Sequence, residues 1–415
     1  MKFAADFHLH SKFSRATSPR MDLENLDKWA QIKGIKVLGT GDFTHPVWLE
    51  ELKEKLEPAE SGLFKIKNNG KETRFILTAE ISCIYSKNGR VRKIHNVIFA
   101  PSFKVVDKIN AHLDCIGNLK SDGRPILGLD AKELAKIVFN ASEDCFFVPA
   151  HIMTPWFALF GSKSGFDSIE ECFEEYSKYI YALETGLSAD PQMLWRIPEG
   201  QKLTLLSNSD AHSPEKIGRE ANVFDTEMSY PAILEAIKSK DPKKFLYTIE
   251  FFPQEGKYHF DGHRVCDVRL SPSETKKYNN ICPNCGKELT VGVLNRIAQI
   301  ATEPEGFRPK NTIPFKSLVP LREIVAEALG MTVVTKRVEQ EYNNLLEKGG
   351  SELEILIDSS RKDIEAISLP EIAEGIIRVR EGKVFIEPGY DGVYGTVKIF
   401  SQQEPKTSIK QTTLF

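Results

Sequence analysis

Five of the chain's nine histidines, His8, His10, His95, His151 and His212, stand at or near an end of a short apolar run. Asp42, Glu80, Glu184 and Asp210 are placed the same way. Residues two apart in a strand point to one face, so His8 and His10 present two imidazoles side by side. Any one of these histidines taken alone reads as a buried structural residue; five in one set with carboxylates read as a multinuclear metal centre. The donors are nitrogen and oxygen without sulfur, which suits hydrolytic ions such as Zn²⁺, Mn²⁺ or Fe²⁺. Such ions bring the pKa of a bound water towards ~7 and neutralise charge on phosphoryl oxygens, so phosphoester hydrolysis is the chemistry expected.

The elements that must position these groups are strands delivering them to one rim, as in a β/α barrel. Apolar runs at 2–10, 36–41, 74–81, 96–100, 145–150, 179–185 and 203–208 predict seven strands. Alternation with amphipathic stretches up to about residue 253 is the pattern of βα units. Helices are expected at 22–33 behind an Asp22 cap, at 46–56 opened by Pro46, and at 130–140, because Asp satisfies free N–H groups and an early Pro dispenses with one. His95 precedes its run; Asn88 and Gly89 predict a hairpin turn that carries it back over the barrel mouth. In the polar loop after His10, Lys12 and Arg15 read either as phosphate-binding rim residues or as solvated surface charges.

A chain of 415 residues predicts two or three domains. With 41% hydrophobic and 27% charged residues, it is neither disordered nor fibrous. The net charge of -3 argues weakly against a polyanion partner, but it counts carboxylates that metal ions would neutralise. Charged residues interrupt any N-terminal apolar segment and no run of about 18 apolar residues occurs, so a soluble, intracellular (cytoplasmic) protein with no membrane partner is expected. Four scattered cysteines, Cys83, Cys115, Cys145 and Cys172, fit a reducing compartment.

The other three are grouped. His263, Cys266, Cys282 and Cys285 form two short-spaced pairs, the pattern of a closed structural zinc site. His259 competes with His263 for the fourth place. The division expected is a metal-dependent catalytic domain at 1–253, a zinc-binding module at 254–310, a helical and stranded C-terminal region at 311–400, and a tail at 401–415. Within the C-terminal region helices are expected at 314–329, 336–348 and 370–381, then strands flanking residues 389–392. Tyr390 and Tyr394 read either as base-stacking platforms or as turn and core aromatics.

The segments DFHLH, LGTGDFTH, LTAEIS, KIHNVIFA, VPAHIMTP and SNSDAHSP resemble the successive metal motifs of the PHP (polymerase and histidinol phosphatase) superfamily. The run 11–48, with the downstream zinc cluster, resembles the endonuclease Q family in particular. The resemblance implies an α/β fold with a distorted (βα)7 barrel. It implies one metal site of His8, His10, Glu80 and Asp210, and a second of His95 and His151 that Glu80 bridges. A third would join His212 with Asp42 or His45, although Arg15 and Phe43 stand where the superfamily often has histidines. Asp210, Glu80 and Arg15 carry the catalytic expectation, with Zn²⁺ in both centres and Mg²⁺ or Mn²⁺ as alternatives in the catalytic one. The implied activity is cleavage of damaged DNA on the 5′ side of a deaminated base or abasic site. The alternatives are a small-molecule phosphomonoesterase and a non-catalytic nucleic-acid binding protein. Gln411, Leu414 and Phe415 resemble the start of a motif that docks on the DNA sliding clamp.

Overall fold

A computed structural model describes residues 1–68 and 72–401. The strand Lys2–Asp6 is buried from Phe3 onward. It lies parallel to Ile35–Gly39 on one side and antiparallel to Ala221–Asp225 on the other. Ile35–Gly39 continues in parallel to Arg74–Lys87, which pairs antiparallel with Arg90–Ala100, and that strand with Phe146–Pro149. Ala182–Glu184 and Thr204–Leu206 form a separate parallel pair. Phe7, Val37, Ile76, Val97, Val148 and Leu206 from these strands and their ends meet in one fully buried interior cluster. Helices Leu23–Lys33, Pro46–Lys55, Phe103–Leu113 and Ala131–Ala141 pack outside, their apolar faces forming a second cluster. All seven expected strands are present, within an α/β barrel.

The hairpin turns as the residue types dictate. Asn88 and Gly89 have φ of 54° and 72°, the positive angles at both central positions that a tight two-residue hairpin needs. The ladder puts His95 opposite Ser82, so His95 and Glu80 share one face of the sheet. Asp22 and Asp130 cap their helices, accepting from the backbone N–H of Asn25 and Lys132.

Beside Lys2–Asp6 the Thr204–Leu206 pair is sealed mainly by side chains. The bridge between Leu9 and Ala211 is one link. Buried Asn208 accepts from the Phe7 N–H at 3.0 Å and from Asn222 at 3.0 Å, and Asp6 accepts from the Ser209 and Gly218 N–H groups at 3.0 and 2.9 Å. Backbone groups without ladder partners are satisfied here by short polar side chains, which fixes the segments carrying His8 and Asp210.

Two parts depart from the expected layout, while the strands expected on either side of residues 389–392 are present. Ala221–Asp225 and Phe245–Glu250 pair with each other and extend the sheet; nearly every residue of the first is buried, so it shows no alternation to read. The helix expected at 314–329 is a strand, Phe315–Ser317, then a helix, Leu321–Ala328, separated by Pro320. That strand pairs in parallel with Phe245–Glu250, so the boundary drawn at 310 cuts through the large sheet. The ribbon of Phe385–Glu387 and Thr396–Lys398 packs on the cysteine module: the Gly389 N–H donates to Gln254 and the Phe260 N–H to Gly389. The C-terminal helices are also tied to the barrel, through a buried ion pair of Lys33 with Glu352 at 2.7 Å that Tyr342 joins at 2.7 Å. Among the described residues no helix is long and apolar enough to cross a membrane.

Behind the barrel's rim, Glu250 is fully buried, accepting from Thr185 at 3.0 Å and from Thr248. Burial pushes its carboxyl up to about 8, and the Asp190 charge adds to that. The unfolded chain ionises Glu250 near the ordinary 4.5 while the folded chain keeps the proton, so this group makes stability fall as pH rises from about 4.5 to about 8. Glu250→Gln is expected to flatten that decline, read from denaturation midpoints across the window.

Candidate metal centre

Every histidine of the rim is held at one nitrogen or faces Glu80. His8 donates from Nδ1 to Glu184, 3.0 Å from each carboxylate oxygen. His10 donates from Nδ1 to Asp42 Oδ1 at 3.0 Å. A carboxylate at Nδ1 fixes the tautomer and leaves the Nε2 lone pair facing inward. The two Nε2 atoms lie 3.5 and 3.2 Å from Glu80 Oε2, and 3.7 and 3.1 Å from Asp210 Oδ1. On the other side of the same carboxylate, Glu80 Oε1 is 2.7 Å from His95 Nδ1 and 3.0 Å from His151 Nε2. Potential ligand atoms thus gather in two groups, His8, His10, Glu80 and Asp210 in one, Glu80, His95 and His151 in the other.

The donor atoms fit divalent ions. Among the described residues His8 Nε2, His10 Nε2 and Asp210 Oδ1 are buried with no hydrogen-bond partner, a costly arrangement for polar atoms unless a cation meets them. Burial pushes the Glu80 carboxyl up, but the charges of His95, Arg124 and His8 outweigh it and hold the group well below the usual range. Burial likewise pushes His8 down, and Glu184 and Glu80 more than reverse it. The pocket therefore draws positive charge. Its mouth is at Asp210, Arg124 and His212, whose side chains are 27%, 26% and 31% exposed.

The chain is similar to several known proteins. A family model described as "MJ0043 C-terminal domain" matches residues 320–383, and one described as "PHP-associated" matches 200–242. The "Uncharacterized protein MJ0043" of Methanocaldococcus jannaschii is 35% identical over 272 residues, 63% of this chain. The match covers 33% of that relative, so this chain spans about a third of its length. The "Uncharacterized protein YqxK" of Bacillus subtilis is 27% identical over 96% of this chain and 99% of its own. The crystal structure of the lesion-specific endonuclease PfuEndoQ from Pyrococcus furiosus superposes with a TM-score of 0.86 at 32% identity, covering 96% of this chain and 95% of that one. The chain belongs to the endonuclease Q family. A second solved relative, endonuclease Q in complex with a 27-mer duplex substrate carrying an abasic lesion at the active site, matches at a TM-score of 0.83 and 32% identity over 96% of this chain and 97% of that one.

In this endonuclease Q family member the residues expected to form a third site are placed otherwise. Both Asp42 oxygens are engaged: Oδ1 by His10, Oδ2 by the Ser11 N–H and hydroxyl, each at 2.7 Å, and by Ser14 at 2.8 Å. His45 turns away to cap the helix Pro46–Lys55 and stacks on Phe13 at 4.4 Å. His212 remains at the mouth, its ring 4.5 Å from that of His10 and its Nδ1 donating to the Asp210 carbonyl at 2.9 Å. Among the described residues these three do not converge. Arg15 is outside both groups: its side chain is 73% exposed and pairs with Asp122 at 3.2 Å.

Two residues take roles that only the fold shows. Glu184 is legible in the sequence as a ligand-type residue at a strand end, and its place behind His8 comes from the fold. Arg124, 3.0 Å from Glu80 Oε2, lies in a loop without apolar periodicity and carries no sequence signal.

His263, Cys266, Cys282 and Cys285 also come together. The hairpin of Asp261–His263 and Val268–Leu270 supplies the first two. A tight turn, with the Gly286 N–H donating to the Cys282 carbonyl, supplies the others. His259 is not in this group; it is buried against Phe260. Tyr390 is buried with its hydroxyl donating to Asp267 at 2.5 Å, so it is unavailable for stacking, whereas Tyr394 is 69% exposed. Gln411, Leu414 and Phe415 lie outside the described residues.

Because Asp42 supports His10 from behind and is not itself one of the clustered donors, its loss should weaken the centre without dismantling it. Asp42→Asn is expected to lower metal affinity or activity about 10–100-fold, measured by titrating the demetallated protein.

Proposed function

We propose that this protein is a metal-dependent DNA-repair endonuclease, cutting the phosphodiester on the 5′ side of deaminated bases (uracil, hypoxanthine, xanthine) and of abasic sites. The observation that carries the reading is a fully buried Glu80 facing two clusters of inward-pointing donors, in a chain similar along its length to a lesion-specific endonuclease. His8, His10, Glu80 and Asp210 would hold one divalent ion, and Glu80, His95 and His151 another, of Zn²⁺, Mn²⁺ or Mg²⁺. When bound, such ions supply Lewis acidity to the phosphoryl oxygens and a hydroxide source at neutral pH. Glu184 and Asp42 orient His8 and His10 throughout. The open rim at Asp210 admits the phosphodiester, while the closed wall of His8, His10 and Glu80 excludes bulk water.

His263, Cys266, Cys282 and Cys285 would hold a structural zinc, since a segment this short buries too little apolar surface to fold unaided. The tail residues Gln411, Leu414 and Phe415 would dock on the sliding clamp. Deamination turns an exocyclic amine into a carbonyl, so a pocket of N–H donors accepts uracil and hypoxanthine and leaves a donor unsatisfied against cytosine or adenine, at ~1–3 kcal/mol. A small-molecule phosphomonoesterase would need neither the cysteine module nor the C-terminal helices.

The test is a duplex with one deoxyuridine, beside duplexes with xanthine and with guanine at the same place. Cleavage 5′ to uracil and xanthine but not guanine is expected. Asp210→Asn should slow it on the order of 10³-fold, the scale of several kcal/mol of lost charge stabilisation. Intact uracil strands with every divalent ion tried, or undiminished cutting by a folded Asp210→Asn protein, would refute the reading.

A further inference from the structure

Arg124 is fixed at the mouth from several directions. Its backbone N–H donates to Asp122 Oδ1 at 3.1 Å, and the same oxygen accepts from the Arg15 N–H at 3.2 Å. The preceding Gly123 donates to the Phe13 carbonyl at 3.0 Å and accepts from Thr44 at 3.2 Å. A side chain at Gly123 would collide with Asp42 and Ser14, so the loop passes as close to the His10 support as a backbone can. The following Pro125 carbonyl accepts from Ser82 in the strand that carries Glu80. The guanidinium is thus held over the cluster by the same elements that position His10 and Glu80. Its charge is felt by Glu80 first, then by Asp210, and it also acts on His95 and His212.

Only part of the guanidinium is used. Among the described residues Nη1 makes its one hydrogen bond, to Glu80, while a guanidinium has five N–H donors in a planar fork. The side chain is partly exposed at the mouth. A rigid fork of this kind matches two oxygens of a phosphate. Meanwhile the residues that would have built a third metal site are committed elsewhere: Asp42 to His10, Ser11 and Ser14, and His45 to its helix.

We propose that Arg124 serves in place of a third metal ion, as a fixed cation that binds a non-bridging oxygen of the scissile phosphate and positions it against the Glu80 cluster. The proposal rests on the endonuclease reading and deepens it. It makes this centre one of two ions and an arginine. Glu80 holds the guanidinium in place, and the substrate takes the donors left free.

The experiment compares two duplexes with the same deoxyuridine, one with a normal phosphate at the scissile position and one with a neutral methylphosphonate. Binding is measured by fluorescence anisotropy with Ca²⁺ as the divalent ion and a gel confirming intact strands. Metal content is measured by mass spectrometry on the same samples. Wild-type protein is expected to bind the phosphate duplex about 10-fold or more tighter, the scale of hydrogen bonds to a charged group. Arg124→Ala should lose most of that preference, the bound ions accounting for what is left, bind the methylphosphonate duplex as wild type does, and keep its full metal content. Arg124→Lys should recover part of the preference, and Arg124→Gln replaces Arg124→Ala if the latter does not fold. Retention of the full preference by Arg124→Ala, equal weakening on both duplexes, or loss of bound metal would overturn the proposal. Wild-type protein that cuts the uracil duplex while Arg124→Ala keeps its preference would remove Arg124's role alone; wild-type protein that cuts no lesion duplex would remove the endonuclease reading as well.

Discussion

One buried carboxylate organises this molecule. Glu80 is almost wholly inaccessible and sits in the long strand Arg74–Lys87, with Oε2 facing His8 and His10 and Oε1 facing His95 and His151. An ionised carboxylate in such a place is tolerable only with positive charge on both sides. The strands on either side bring that charge or its ligands: Lys2–Asp6 leads into His8 and His10, Arg90–Ala100 carries His95, and Phe146–Pro149 leads into His151.

Around this group the fold holds its ligands by a second ring. Glu184 takes the outer nitrogen of His8 and also the His151 N–H at 2.8 Å, so one carboxylate supports a residue from each cluster. It is steadied in turn by Asn208 at 2.9 Å, the residue that seals the seam beside Lys2–Asp6. Asp42, His151 and Asp210 all adopt left-handed backbone, with φ of 50°, 30° and 46°. Each such residue costs on the order of 1 kcal/mol or more and persists where its surroundings fix it. At these three positions the chain changes direction soon after a strand.

What the sequence disclosed follows from what is local. His-x-His at a strand end, an Asn-Gly turn and a CPNCG knuckle each carry their geometry in a few neighbouring residues, and the structure forms all three. Seven apolar runs sufficed for seven strands. The carboxylates are legible as ligand types but not in their separate roles: Asp42 and Glu184 look like Glu80 and Asp210 in sequence, and only the fold shows which enter a donor cluster and which stand behind an imidazole. Arg124 was invisible because loops carry no period, and Phe315–Ser317 because pairing with Phe245–Glu250 overrides a helical pattern. The role of Tyr390 depends on Asp267, which holds its hydroxyl from more than a hundred residues away in the chain.

The central claim is that Glu80 joins two metal positions, and anomalous diffraction tests it most directly. Data collected at the absorption edges of the ions co-purified with crystals of the protein should show two peaks about 3.5–4 Å apart, one on each side of the Glu80 carboxylate, with His8, His10 and Asp210 around one and His95 and His151 around the other. A lone peak, or a pair of which Glu80 touches neither or only one, would contradict the account.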